Sequence, residues 1–181
     1  MIYLASYEPG GSLYNREREH ILGRSLLNFG LMKEYGRTWE VEQEAGSKPR
    51  LKGAEGVEFN ISHTKGLVVC AVADRALGAD TEQIRPFKAG LMRRVCSGAE
   101  RSFVMAGRSE AERRERFFRL WTLKESYAKA IGRGLAFPLG DITFSLEEGV
   151  IKGSIPGWRL YQSRGFQSYI ISCCAAGEKR E

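Results

Sequence analysis

Seven consecutive apolar residues, Leu67-Val68-Val69-Cys70-Ala71-Val72-Ala73, sit between Gly66 and Asp74-Arg75. A bounded run of that length, rich in β-branched residues, reads as a central strand. It is far short of the ~18 apolar residues a membrane helix needs, and no other run comes closer. The chain must therefore build a covered sheet around this strand. With 181 residues and 43% apolar composition it can do so in one domain, or in two small ones sharing a core.

The flanking pattern sets the class. Met1 to Tyr7 reads as a strand, and Tyr14 to Lys33 as a helix with Ile21, Leu22, Leu26 and Phe29 at core-facing spacings. Trp39 to Glu44 alternates like a half-buried strand, and Gly46 to Pro49 is a loop. Val57 to Ile61 forms a strand, His63 to Gly66 a tight connection, and Leu77 to Glu82 another short strand. Ser97-x-x-Glu100 and Ser109-x-x-Glu112 are two capping boxes, the second opening a long helix that ends at Gly132. Strands follow at Asp141 to Leu146, Val150 to Ser154, Trp158 to Gln162 and Tyr169 to Cys174, before a solvated tail, Glu178 to Glu181. This order predicts an α+β fold of two halves, residues 1–75 and 76–181.

Four cysteines, Cys70, Cys96, Cys173 and Cys174, lack Cys-x-x-Cys spacing, and three of them fall in apolar strand-like runs. They predict buried thiols, no disulfide framework and a reducing, cytoplasmic compartment. Met1 to Ala5 lacks the basic flank and apolar stretch of a signal peptide. A net charge of +6 suggests an acidic or phosphorylated partner.

Three groups of residues bear on chemistry. Asp80 and Glu82, two apart in a strand, share a face; they either meet solvent or hold a hard cation. On the long helix, Leu120, Leu123, Tyr127 and Ala130 form one apolar face, and Phe118, Trp121, Glu125 and Lys129 fall opposite. Glu125 and Lys129 are either an i,i+4 pair or part of a site for Mg²⁺ and phosphate. In Phe59-Asn60-Ile61-Ser62-His63, the polar residues are either structural or hold a phosphate together with Lys65; Lys48 is a similar basic loop residue. Arg93, Arg94, Arg113, Arg114, Arg116 and Arg119 raise a nucleic-acid-binding module as a competing class, but Glu110, Glu112 and Glu115 interleave with the helical arginines.

Taken in order, Lys48-Pro49, Phe59 to His63, Gly78-Ala79-Asp80-Thr81-Glu82, Ser97-x-x-Glu100 and Trp121-Thr122-Leu123-Lys124-Glu125-Ser126 through Lys129, Gly132, Gly134 and Leu135 resemble the larger, pseudo-dimeric (surfactin-synthetase-activating) type of 4′-phosphopantetheinyl transferase. The resemblance implies two similar α+β halves related by a pseudo-twofold axis, with the active site in the cleft between them. It implies transfer of the phosphopantetheine arm of coenzyme A, a co-substrate, to a serine of an acidic acyl or peptidyl carrier protein, with release of adenosine 3′,5′-bisphosphate. By motif, Asp80, Glu82 and Glu125 are implied Mg²⁺ ligands. Lys48, Ser62 and His63 are implied nucleotide contacts, and Lys129 a pyrophosphate contact. Glu125 is the expected acceptor of the serine proton, and Lys129 a second positive contact during transfer.

The protein is expected to be a monomer without nucleic-acid or membrane partners. A catalytically weak coenzyme-A-binding homologue is the alternative, because the first half is short. Only Tyr14 to Arg18 stands where the family commonly has an additional basic helical stretch, which weakens the expected grip on the 3′-phosphate. Ala79 and Thr81 replace branched aliphatics of the family, and Glu100 is either a metal-site acid or only a cap. Pro86 to Met105 either presents Phe87, Leu91, Met92 and Phe103 to a partner or packs them into the core.

Overall fold

A computed structural model of the chain describes residues 1–147, 150–165 and 168–177; the expected tail at Glu178 to Glu181 lies outside the described residues. The first half runs β1 (Ile2–Ser6), α1 (Ser12–Tyr35), β2 (Val41–Glu42), β3 (Arg50–Leu51), β4 (Glu58–Thr64) and β5 (Leu67–Ala73). The second runs β6 (Leu77–Gln83), α2 (Ala89–Val95), α3 (Gly98–Met105), α4 (Glu110–Ala130), β7 (Phe144–Glu147), β8 (Val150–Gly153), β9 (Trp158–Gly165) and β10 (Tyr169–Ala176). Two three-stranded antiparallel sheets result, ordered β1-β5-β4 and β6-β10-β9. In both, a strand, a long helix and a strand precede the strand that takes the central place.

The alternation of side chains across β5 explains its apolar run. Leu67, Val69 and Ala71 meet Leu77 and Ala79 of β6 and Ile171 and Cys173 of β10, so the two sheets pack against each other. Cys70 and Val72 instead pack with Leu27 and Leu31 of α1. On the far side, Ile170 and Cys174 of β10 meet the core under α4, which contains Phe117, Phe118, Leu120 and Leu123. Both faces of the central strands are therefore dry.

Helix α1 is longer than expected and turns a different face inward. Ile21 and Phe29 are exposed, while Leu27 and Leu31 are buried. Two glycines occupy the buried stripe and hide it from a hydrophobicity count. A Cβ at Gly30 would lie 2.6 Å from the Tyr3 ring, and one at Gly23 would lie 3.0 Å from Ile61. The expected strand at Trp39 to Glu44 shrinks to the two residues of β2, whereas β4 continues past Ile61 through His63 and Thr64 before the Lys65-Gly66 turn. The box at Ser97 forms in full; at Ser109 only the serine half forms, because Glu112 accepts from the Arg108 amide instead. Phe87, Leu91, Met92 and Phe103 pack against the second core, Phe87 stacking on Phe117 with centroids 4.1 Å apart. Of the two readings of that segment, core packing is the one observed.

Candidate functional site

Strand β6 carries the site because its two faces differ. Leu77, Ala79 and Thr81 point to the other sheet or its edge, and Gly78, Asp80 and Glu82 point toward α4. Gly78 lets the helix come close: a Cβ there would lie 2.1 Å from the Ser126 carbonyl oxygen and 2.4 Å from the Ala130 nitrogen. That contact brings Glu125 and Lys129 of α4 beside Asp80. Lys129 Nζ donates to Asp80 Oδ1 at 2.6 Å and to Ser62 Oγ at 2.9 Å, and Ser62 Oγ donates to Asp80 Oδ1 at 3.0 Å. Asp80 and Glu125 are buried, and among the described residues Asp80 Oδ2 and Glu125 Oε1 have no hydrogen-bond partner. Glu82 is turned to Arg85, at 2.5 Å, and among the described residues no three carboxylate, imidazole or thiol groups are gathered as a metal cluster.

Burial first, and charge second, account for the state of these carboxyls. Burial, then the Asp80 charge, pushes the Glu125 carboxyl up to about 6; Lys129 opposes the rise. Burial also raises Glu82, against the pull of Arg85. Two buried oxygens without donors, hard in character and next to a like-charged neighbour, are what a hard divalent cation requires of its ligands.

Ser62 and His63 have different neighbours. They are adjacent in a continuous strand, so they face opposite ways. Ser62 joins Asp80, whereas His63 points to α1, where its Nδ1 lies 2.9 Å from Glu19 Oε2. The other Glu19 oxygen accepts from the Tyr7 hydroxyl. His63 lines a cavity of about 440 Å³ with Arg16, Glu19, His20, Arg24 and Gln43. Arg16, His20 and Arg24 recur every fourth residue and so share one face of α1, a polar spacing that apolar periodicity does not report. Lys48 lies apart from this cavity, donating to Glu58 Oε2 and to the Leu77 carbonyl oxygen, both at 2.9 Å.

Lys124 is fully buried, which its sequence neighbours do not announce. Its ammonium donates to the carbonyls of Val95, Leu139 and Ile142 and to Glu100 Oε2, at 2.7–3.0 Å. Glu100 Oε2 also accepts from the Ser97 amide, and Oε1 accepts from the Phe144 amide. Both Glu100 oxygens thus serve the fold. The arginines of α4 are engaged within the fold: Arg114 pairs with Glu110 and Arg116 with Glu112 along the helix, and Arg119 donates to Gln162 of β9.

Residues 76–174 match the 4′-phosphopantetheinyl transferase superfamily. Over 177 residues the chain is 30% identical to a 4′-phosphopantetheinyl transferase of Bacillus subtilis, covering 90% of this chain and 77% of that protein. Over 135 residues it is 33% identical to the 4′-phosphopantetheinyl transferase psf-1 of Bacillus pumilus, covering 72% of this chain and 57% of that one. A crystal structure of a holo-(acyl-carrier-protein) synthase from Bacillus anthracis aligns with a TM-score of 0.47 at 18% identity, over 57% of this chain and 96% of that chain.

Proposed function

The chain belongs to the 4′-phosphopantetheinyl transferase superfamily, and from that membership we propose that it moves the phosphopantetheine arm of coenzyme A onto a serine of an acidic acyl or peptidyl carrier protein. Adenosine 3′,5′-bisphosphate leaves. The observation that carries this reading to particular residues is the pair of buried, unpartnered oxygens, Asp80 Oδ2 and Glu125 Oε1, beside the Lys129 ammonium.

Asp80, Glu82 and Glu125 are the residues that would hold Mg²⁺. Bound there, the ion would neutralise charge building on the leaving phosphate. Lys129 supplies a second positive contact to the pyrophosphate, and Ser62 keeps Lys129 and Asp80 in register. Glu125, with a carboxyl raised to about 6, is matched to accept the serine proton near neutral pH. The nucleotide lies toward α1, with His63, Arg16, His20 and Arg24 around its phosphates and Lys48 at the border of the halves. We divide the chain into halves of residues 1–75 and 76–181, with the site between β4, β6 and α4. Buried, free thiols and a coenzyme A substrate favour a cytoplasmic location, and the chain is taken as a monomer. Among the described residues no helix is long and apolar enough to cross a membrane.

Incubation of the protein with an apo carrier protein, coenzyme A and Mg²⁺ tests the proposal by mass spectrometry. The expected result is a carrier heavier by one phosphopantetheine. Coenzyme A binding with no mass change would leave the chain a binding homologue and overturn the transferase reading.

A further inference from the structure

Among the described residues, strand β6 is the outer strand of its sheet, bonded on one side to β10. An outer strand exposes a row of unpaired backbone N–H groups, and these normally face water. Here they cannot, because Ala79 and Thr81 are buried. What meets them is a row of side chains rather than a backbone. Asn60 Oδ1 accepts from the Ala79 amide at 2.8 Å, Ser62 Oγ from the Thr81 amide at 3.3 Å, and Thr64 Oγ1 from the Gln83 amide at 3.4 Å. All three pairs are 19 residues apart, so β4 and β6 run side by side in the same direction. The period of two along both strands puts each acceptor opposite a donor. Asp80 lies between the first two rungs, and Glu82 between the second and third.

We propose that Asn60, Ser62 and Thr64 are positioning residues: their side chains replace a missing neighbour strand along β6 and fix where Asp80 and Glu82 stand relative to Glu125 and Lys129. The inference rests on the carboxylate site proposed above, and it adds three residues that act through the backbone rather than on substrate. It also gives the Asn-x-Ser-x-Thr spacing a reason. Ser62 Oγ reaches the Thr81 amide while staying in contact with both Asp80 and Lys129. Groups that orient metal-binding side chains from outside typically change metal affinity by 10–100-fold when removed.

Amide hydrogen exchange of the metal-free, full-length protein reads the rungs directly. The Ala79 and Gln83 amides should be protected, and exchange at least about tenfold faster in Asn60→Ala and Thr64→Val respectively. Asn60→Asp and Thr64→Ser keep the acceptor oxygen and should restore protection. In the same variants, the Mg²⁺ concentration for half-maximal transfer should rise by about tenfold or more with Asn60→Ala, with KM for coenzyme A moving less. Unprotected Ala79 and Gln83 amides in the wild type would overturn the ladder. Variants that lose thermal stability while their Mg²⁺ dependence stays at the wild-type value would overturn the positioning role, since that describes a merely structural bond. A rise confined to the KM for coenzyme A would make Asn60 a nucleotide contact instead. If the wild-type protein transfers nothing, the transferase reading falls, and the exchange rates still decide the ladder.

Discussion

Glu125 is asked to do two things, and its surroundings let them be separated. Burial and the Asp80 charge hold its carboxyl near 6. A carboxyl raised in the folded state binds its proton more tightly than in the unfolded chain. Its contribution to stability is therefore complete below about pH 4.3, where the unfolded group titrates, and is lost as the pH rises through 6. Glu125→Gln never ionises. In metal-free buffer at pH 7.5 this variant should be more stable than the wild type by up to about 2 kcal/mol, with the gain vanishing near pH 4, as followed by thermal melting. The same variant should lose kcat by roughly 10²–10⁴ at saturating Mg²⁺ and coenzyme A, because an amide is not a base. A destabilised variant at pH 7.5 would contradict the burial argument; partial rescue of kcat by high Mg²⁺ would leave Glu125 as a metal ligand only. His63 sits on the other face of β4, against Glu19 and the cavity under α1. His63→Ala should raise the KM for coenzyme A more than it lowers kcat, since a contact remote from the reacting phosphorus contributes mostly uniform binding. Initial rates across coenzyme A concentrations check it, and a collapse of kcat at unchanged KM would mark His63 as the base.

At the scale of elements, Glu100 and Lys124 tie α3, α4, the end of α2 and the start of β7 to one buried point. An ion pair this dry leaves a costly cation behind when its anion is removed. Glu100→Gln keeps an acceptor for the Ser97 amide, yet Lys124 then faces three carbonyls without a counter-charge. The variant should lose roughly 3 kcal/mol of stability, read from the denaturant midpoint at an unchanged slope, while its kcat per folded molecule stays near the wild-type value. A large fall in kcat at full stability would return Glu100 to the metal site. This pair also marks the limit of what sequence patterning can carry. Strand β5 and the box at Ser97 are legible because their signals, a bounded apolar run and a Ser-x-x-Glu, are local. The positions of Asp80, Glu82, Glu125 and Lys129 follow from motif order and same-face spacing. Lys124 does not, because nothing in its neighbours along the chain announces three carbonyls from the end of α2 and the segment between α4 and β7. The inner face of α1 is illegible for a related reason: Gly23 and Gly30 hold buried places that an apolar count assigns to nobody. Ser62 and His63 look like one polar tip until β4 is seen to run on through Thr64, which sends them to opposite faces.

Across the whole molecule, the two halves are joined in three ways that all bear on the site. The sheets share a dry interface from Leu67, Val69 and Ala71 to Ile171 and Cys173. The side chains of β4 bond the edge of β6. Lys48, from the loop before β3, donates to the Leu77 carbonyl oxygen at the start of β6, and Tyr169 of β10 reaches back to the Lys65 carbonyl oxygen. A domain boundary normally crosses few contacts and allows relative motion; this one crosses a core. The halves should therefore unfold together, and a ligand held partly by each should stabilise both. Coenzyme A with Mg²⁺ at about 100 times the dissociation constant adds about 2.7 kcal/mol to a state that binds it. For a chain of this length that corresponds to a rise in Tm of roughly 5–10 °C. Calorimetry should show one transition with and without ligand, displaced as a unit, and Asp80→Ala should abolish the part of the shift that requires Mg²⁺. Two transitions, of which coenzyme A moves only one, would mean that the 1–75 half binds nucleotide by itself and that the carboxylates of β6 and α4 stand outside the binding site.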